Sequence, residues 1–478
     1  MATSPKEALE VVKELSDRLD LRNQQSFAYD RYYSGLHPMP WIHQRARSEY
    51  RKLMKQAVSN FPLLIVDSVS DRLEIEGFRL GDTAADQTVW TDIWQRNKLD
   101  VYAPAIHTQS LVTSISYASV WPTEDGMNVT IRPESCYECI HDSEPGDPLK
   151  VIRALKKWAN PVRKRWYAHL HLDTGEVFKM EGRWNEGQES PDVWETIELV
   201  ENPFGDEIGI RPFLNRPQLD GTGRSELADV IPVFDRINTL TADMLLAAEL
   251  AAFKIRWATG IDVPRDEEGN PVEPFDVAMD RLWVSENPEA KFGNFESSSL
   301  EPYGTAIDQA IQQAAAITRT PPFLLLGKLT NLSAEALKAT ESGLVKKVQN
   351  RARSFGESWE DLMRLGLKIV DPAKADIVDM ETIWADPENI SEAARVDALT
   401  KLYNIGLPKE AVWEKWGATP QEIERFKQMA MTESLDRALA NAIPAGPGLS
   451  TGPATINNGQ QTSANTPDQM NVQVDQNL

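Results

Sequence analysis

The chain has 478 residues, which at roughly 150 residues per domain gives two to four domains and room for a sizeable core. Its 72 acidic and 50 basic side chains leave a formal charge of −22, excluding a protein that grips nucleic acid over a broad basic face. Two cysteines exclude a disulfide framework, no apolar run approaches the roughly 20 residues of a membrane span, and no signal-peptide pattern opens the chain. The expectation is a soluble protein made in the cytoplasm.

In chain order, Ala8, Val11, Val12, Leu15, Leu19 and Leu21 recur at near-helical spacing and predict an amphipathic helix within 5–33, ended by Ser34-Gly35, Pro38 and Pro40. A second helical stretch spans about 44–72. It carries the basic cluster Arg45, Arg47, Arg51, Lys52 and Lys55, read as a solvated face, followed by apolar Phe61, Leu63, Leu64, Ile65 and Val66. From 128 to 184 the pattern changes to short segments rich in Val, Ile, Trp and Tyr. Strands are predicted at 128–132, 151–155, 165–172 and 176–180, with Asp173-Thr174-Gly175 as a hairpin turn.

Leu227, Val230, Ile231, Phe234, Ile237, Leu240, Met244, Leu245 and Ala248 predict a long helix over 225–254, with Pro232 able to kink or delay its start. Residues 262–301 follow, a strongly acidic insert with eleven Asp or Glu, three Lys or Arg and a strand-like 281–285. A helix over 305–318 shows a small-residue face of Ala306, Ala310, Ala314 and Ala315, ended by Pro321-Pro322. After a loop, Ser333 is placed to cap a long helix through Leu344, Val348, Phe355, Trp359 and Leu362, with Leu332 stapling to Leu337. Residues 391–440 read as two or three helices broken near 406–408 and 417–420. The tail 441–478 has no aromatic residue, no Lys or Arg and only Asp468 and Asp475 as charges, so disorder is expected there.

Motifs with chemical potential are weak. Cys136-Tyr137-Glu138-Cys139 could supply half a zinc site, but there is no second pair, and strand-end cysteines are the preferred reading. His169 and His171 share a strand face without an evident third ligand. Gly327-Lys328-Leu329-Thr330 imitates the end of a P-loop, yet Pro322 stands where the first Gly belongs and Leu329 where Ser or Thr should hold magnesium. Asp173-Thr174-Gly175 spells an aspartic-protease triplet but fits a turn better. Glu357, Glu360 and Asp361 could be imagined around a metal, and are expected to be solvated instead. No catalytic residue, metal site or cofactor is assigned. Two alternative readings are a metal-dependent hydrolase or nuclease using the acidic helices, and a helical adaptor that forms no ring.

The segment order resembles the portal proteins of tailed double-stranded DNA phages, especially siphophages of actinobacteria. The resemblance covers most of the chain and is carried by Tyr29-Asp30-Arg31-Tyr32-Tyr33-Ser34-Gly35, by Asn60 to Gly77, and by Trp94-Gln95-Arg96-Asn97. It continues through Gly223-Arg224-Ser225-Glu226-Leu227, Phe253-Lys254-Ile255-Arg256-Trp257 and the turn Thr320 to Gly327. It implies an α+β portal fold, mainly helical, with a β-rich wing segment and a small α/β clip, assembled as a ring that is typically a dodecamer.

By order, residues 1–223 and 333–390 correspond to the wing, 224–252 and 303–318 to two stem helices, and 253–302 to the clip. Residues 319–332 then match the tunnel loop, 391–440 the crown and 441–478 the disordered tail. The resemblance implies a non-enzymatic channel at one capsid vertex of the virion, used for DNA packaging and ejection. Its implied partners are other copies of the chain, the terminase large subunit, a head-completion adaptor, the major capsid protein and scaffold, and double-stranded DNA without sequence specificity, with no membrane. Within it, Lys328, Thr330 and Asn331 are the expected DNA-facing residues of the tunnel loop. Asp266, Glu267, Glu268, Glu273 and Asp276 are the expected clip residues for partner binding, suited in charge to a basic partner.

Overall fold

A computed structural model of the chain describes residues 4–40, 51–81, 86–187, 190–191, 193–252, 256–260, 288–294, 299–327, 334–388 and 392–442. The elements run α1 (Pro5–Tyr33), α2 (Arg51–Gln56), α3 (Phe61–Ser70), β1 (Ile75–Leu80), a π-helical segment Val89–Gln95, α4 (Leu99–Thr113), β2 (Ile115–Pro122) and β3 (Val129–Glu134). They continue as β4 (Cys139–Glu144), β5 (Asp147–Asn160), β6 (Arg165–Leu172), β7 (Glu176–Arg183), β8 (Trp194–Glu201), β9 (Ile210–Leu214), α5 (Ile231–Ala252), β10 (Arg256–Thr259) and β11 (Lys291–Asn294). The last are α6 (Glu301–Thr318), α7 (Pro322–Leu326), α8 (Ala334–Val370), α9 (Pro372–Ala375), β12 (Met380–Trp384), α10 (Glu392–Asn404), α11 (Lys409–Trp416) and α12 (Pro420–Ala442). Helices and antiparallel sheets thus share the chain, an α+β arrangement. Contacts divide it into Met1–Glu424 and Arg425–Leu478; in the second unit residues 425–442 are helical.

Helix α1 starts where Ser4 and Glu7 close a capping box, the Glu7 amide donating to Ser4 Oγ and the Ser4 amide to Glu7 Oε2. Its buried stripe of Ala8, Val12, Leu15 and Leu19 packs on one face of the sheet β4-β5-β6-β7-β8, against Leu155, Trp166, Ala168, Leu170, Phe178 and Met180. Strand alternation sends Lys156, Trp158, Tyr167, His169 and Lys179 to the opposite face. Gly175 makes the β6–β7 turn at φ +82°, as the Asp-Thr-Gly sequence predicts.

Helix α8 is the spine of the main core. Leu344, Val348, Phe355, Trp359, Leu362 and Met363 recur at helical spacing and cluster with Phe78 of β1, Trp90 and Trp94 of the π-helical segment, and Phe213 of β9. Trp94 and Trp359 meet edge to face with centroids 5.0 Å apart. β1 pairs with β12, and β3-β2-β9 form a three-stranded sheet. A third cluster joins Ile65 of α3 to Phe234 and Ile237 of α5, Ala310 and Ala314 of α6, and Leu325 of α7.

Several expectations change in detail. The helix expected from Ser225 begins at Ile231, because residues 225–227 are held by tertiary hydrogen bonds and Pro232 suits a first turn. The stretch 44–72 holds two separate helices, α2 and α3, in its described part, where Arg51, Lys52 and Lys55 are exposed. The small-residue face of α6 does pack closely on a helix, as such a face suits, and that helix is α5. The region 391–440 holds three helices with breaks at the expected places. The strand expected at 281–285, the Ser333 cap with its Leu332 staple, and all but the first residues of the tail fall outside the described residues.

Candidate functional site

The segment Gly223-Arg224-Ser225-Glu226-Leu227 sits where α4, β9, α6 and α8 converge. A Cβ at Gly223 would lie 2.1 Å from the carbonyl oxygen of Ser114, so only glycine lets the backbone pass. Asn215 donates from Nδ2 to the Arg224 carbonyl at 2.7 Å and to Glu226 Oε1 at 3.1 Å. Ser225 Oγ donates to the Val112 carbonyl, and the Glu226 amide donates to that of Leu111. Arg216 and Arg224 both engage Asp229.

These bonds aim Glu226 into the interior, where it is 5% exposed. Two residues one turn apart on α8 meet it there. Arg351 donates to Oε1 from Nε at 2.7 Å and from Nη2 at 2.6 Å, and Lys347 Nζ lies 2.9 Å from Oε2. Burial opposes the Glu226 charge, but Lys347 and Arg351 outweigh it and hold the carboxyl down to about 2. Burial also lowers the pKa of Lys347, an effect that Glu226 offsets in part. The carboxylate is therefore ionised between two cations, and among the described residues it is the one partner the two share.

Lys347 Nζ also donates to the Thr318 carbonyl at 3.1 Å, at the last residue of α6. Arg319 then turns the chain at φ +54°, the Thr320 amide returns to the Ala315 carbonyl, and Pro321-Pro322 opens α7. Leu325 anchors α7 in the α3–α5–α6 cluster, and Gly327 caps it at φ +63°. The base of the 319–332 loop is thus tied to α8 by a buried ion and to the helices by an apolar plug. Gly327 follows a helix rather than a strand, a third departure from a P-loop. Lys328, Thr330 and Asn331 lie outside the described residues.

Asp266, Glu267, Glu268, Glu273 and Asp276 also lie outside them. What is described is the root of that insert, where β10 pairs antiparallel with β11 from Arg256↔Asn294 to Thr259↔Lys291. The chain on either side of residues 261–290 is thereby held side by side.

The remaining candidates fall on other surroundings. Cys136 and Cys139 are free, buried thiols whose carbonyls both accept from Arg22, and burial pushes both thiol pKa values up. His141 is 3.1 Å from the Tyr117 hydroxyl. His169 and His171 do share a face of β6, and line a cleft of about 560 Å³ with Trp121 and Trp158. Among the described residues no group of His, Cys, Asp or Glu could hold a metal ion. Glu357 is exposed, but Glu360 accepts from the Thr382 amide at 2.9 Å and Asp361 pairs with Arg364 at 3.1 Å, so these two are engaged rather than free in solvent. Glu226 carries no chemical signal in the sequence, because its partners come from a helix 125 positions away.

The family described as Phage portal protein, SPP1 Gp6-like, matches residues 12–434. The chain belongs to the phage portal protein family. The portal protein of Mycobacterium phage D29 is 30% identical over 415 residues, covering 81% of this chain and 83% of that protein. The portal protein of Mycobacterium phage L5 is 30% identical over the same length, covering 81% of this chain and 82% of the relative. Portal function and membership of the virion follow, and the family is a structural rather than an enzymatic one. No helix among the described residues is long and apolar enough to cross a membrane.

Proposed function

We propose that this portal-family chain assembles head to tail into a closed ring, typically of twelve copies, around a channel at one capsid vertex. A ring forms from one repeated contact when its rotation closes. DNA enters through the channel during packaging, driven by the terminase large subunit, and leaves through it at ejection once a head-completion adaptor is attached. The major capsid protein and scaffold surround the ring. Residues 1–223 and 333–390 form the wing, 224–252 and 303–318 the stem, 253–302 the clip and 391–440 the crown.

The observation that supports this reading most is the clamp at the base of the 319–332 loop. A loop that meets moving DNA needs an anchored root, and Lys347, bonded to both Glu226 and the Thr318 carbonyl, supplies one. Lys328, Thr330 and Asn331 then face the duplex, where a few cations in a channel of an acidic protein give weak, sequence-independent contacts. The acidic residues Asp266, Glu267, Glu268, Glu273 and Asp276 of the clip face the motor and the adaptor. The antiparallel β10–β11 root supports a compact projection there.

Native mass spectrometry of the full chain, with negative-stain images, tests the ring. A species of about a dozen subunits with a central hole is expected. A stable dimer as the end state, or a chain that stays monomeric even beside its capsid and scaffold proteins, overturns it.

A further inference from the structure

The charge of this chain is segregated. Residues 150–183, which hold most of β5 and all of β6 and β7, carry nine Lys or Arg against three Asp or Glu, a net of +6. The whole chain is −22, so everything outside that segment sums to −28.

Five of the nine cations are committed inside the fold. Arg153 and Lys157 meet acidic residues of α1, and Lys150, Lys156 and Lys179 meet Glu144, Glu134 and Glu198. The other four, Arg163, Lys164, Arg165 and Arg183, are exposed at the β5–β6 turn and the adjoining end of β7. Among the described residues no carboxylate pairs with any of them. Arg165 stands directly opposite Arg183 in the β6–β7 register, and like charges in that position repel. An anion laid across the two strands removes that cost. Two residue pairs further along, on the same face, Trp158 and Tyr167 stack with centroids 5.5 Å apart, a flat half-buried surface that leads into the cleft of about 560 Å³.

We propose that this end of the β5–β7 face is the electrostatic docking surface for a second copy of this chain. The inference rests on the ring reading. In a head-to-tail contact the patch meets a different part of the neighbour, and outside the patch the neighbour is strongly acidic, so complementarity is written into the charge distribution. The surface suits a folded acidic partner better than nucleic acid, because four cations at one sheet end are a small footprint and the rest of the chain repels a polyanion.

The test reverses the turn: Arg163→Glu, Lys164→Glu and Arg165→Glu together in the full chain. All three are exposed, so the melting temperature should stay within error of the wild type. Assembly is followed by native mass spectrometry over a concentration and sodium chloride series. The expected result is a rise of about tenfold or more in the concentration for half-assembly. The wild-type ring should also loosen with salt, as contacts between exposed charges do, while the residual assembly of the variant should not. The conservative variant Arg165→Lys with Arg183→Lys should assemble like the wild type.

Equal assembly and equal salt dependence of the reversed variant overturn the docking surface and leave the ring standing. A wild-type chain that never oligomerises overturns both. Unchanged assembly with loss of binding to a short DNA duplex assigns the face to nucleic acid and overturns the inference.

Discussion

Lys347 Nζ lies 3.1 Å from the carbonyl oxygen of Thr318, 29 positions earlier, and both are buried. The same ammonium group holds Glu226 at 2.9 Å. One cation therefore joins the start of the α5 segment, the end of α6 and the middle of α8, the three stretches that meet at the root of the 319–332 loop.

Glu226→Gln should destabilise the chain by about 3–5 kcal/mol, since it leaves Lys347 and Arg351 buried without their carboxylate. Lys347→Met should cost less, because Glu226 keeps Arg351. It should, however, speed hydrogen exchange at the Thr320 and Leu324 amides as the Thr318 carbonyl loses its donor. Replacing all three with apolar residues of similar size should restore most of the loss in urea unfolding. Equal stability of Glu226→Gln and wild type would show the network to be idle.

Two glycines should answer alanine in opposite ways. Gly223→Ala drives a Cβ into the Ser114 carbonyl, with backbone on both sides and nothing to give way, so soluble yield should collapse. Gly304 lies in α6 with open space, nothing within 4 Å, where an alanine Cβ would stand, and with no left-handed φ. Gly304→Ala should therefore raise stability by about 0.5–1 kcal/mol, read as a higher melting temperature.

Much of this fold is legible in the sequence, and the misses share a cause. α1, β5, β6, β7, α6 and α8 announce themselves by local periodicity and turn residues. β1 and β12 do not, since each is completed only by the other across the chain, and β9 is five buried residues with Pro212 among them, which reads as a loop. The start of α5 is obscured because Ser225 and Glu226 carry helix-compatible spacing while their bonds go to α4 and α8. The Glu226 site fails locally for the same reason: nothing near it in sequence tells a buried carboxylate from a solvated one.

Lys328→Ala should leave oligomerisation unchanged and reduce DNA packaging or retention. The anchored base of the loop, with Leu325 in the core and Lys347 on the Thr318 carbonyl, makes the tip dispensable for folding. A single phosphate contact is a modest, salt-dependent contribution, so the difference between variant and wild type should be largest at low ionic strength and shrink as salt rises. Loss of the ring instead would make Lys328 a structural residue.

Acid should destabilise this chain well above the carboxylate range. Burial lowers the pKa of His107 and His171 to about 3, and of His141 and His169 to about 4, from an ordinary 6.5. Above pH 6.5 these rings are neutral folded or unfolded and contribute no slope. Below it the unfolded chain takes up protons that the folded chain refuses, so stability falls with falling pH until the folded values are reached. His107 and His171, both buried, steepen that limb by about 1.4 kcal/mol per pH unit each. Glu226, held at about 2, adds its loss only below pH 4.5, whereas the carboxyls raised by burial, Asp67, Glu76, Glu138 and Glu360, take up protons earlier in the folded chain than in the unfolded one and so act in the opposite sense above their ordinary values. Between pH 6.5 and 5 the histidines supply the loss of stability, against which those carboxyls work. His107→Gln keeps an acceptor for the Trp359 indole N–H, which donates to His107 Nε2 at 2.9 Å, and removes one titrating ring. Its melting temperature should drop less between pH 6.5 and 5 than that of the wild type, and parallel slopes would remove His107 from the acid response.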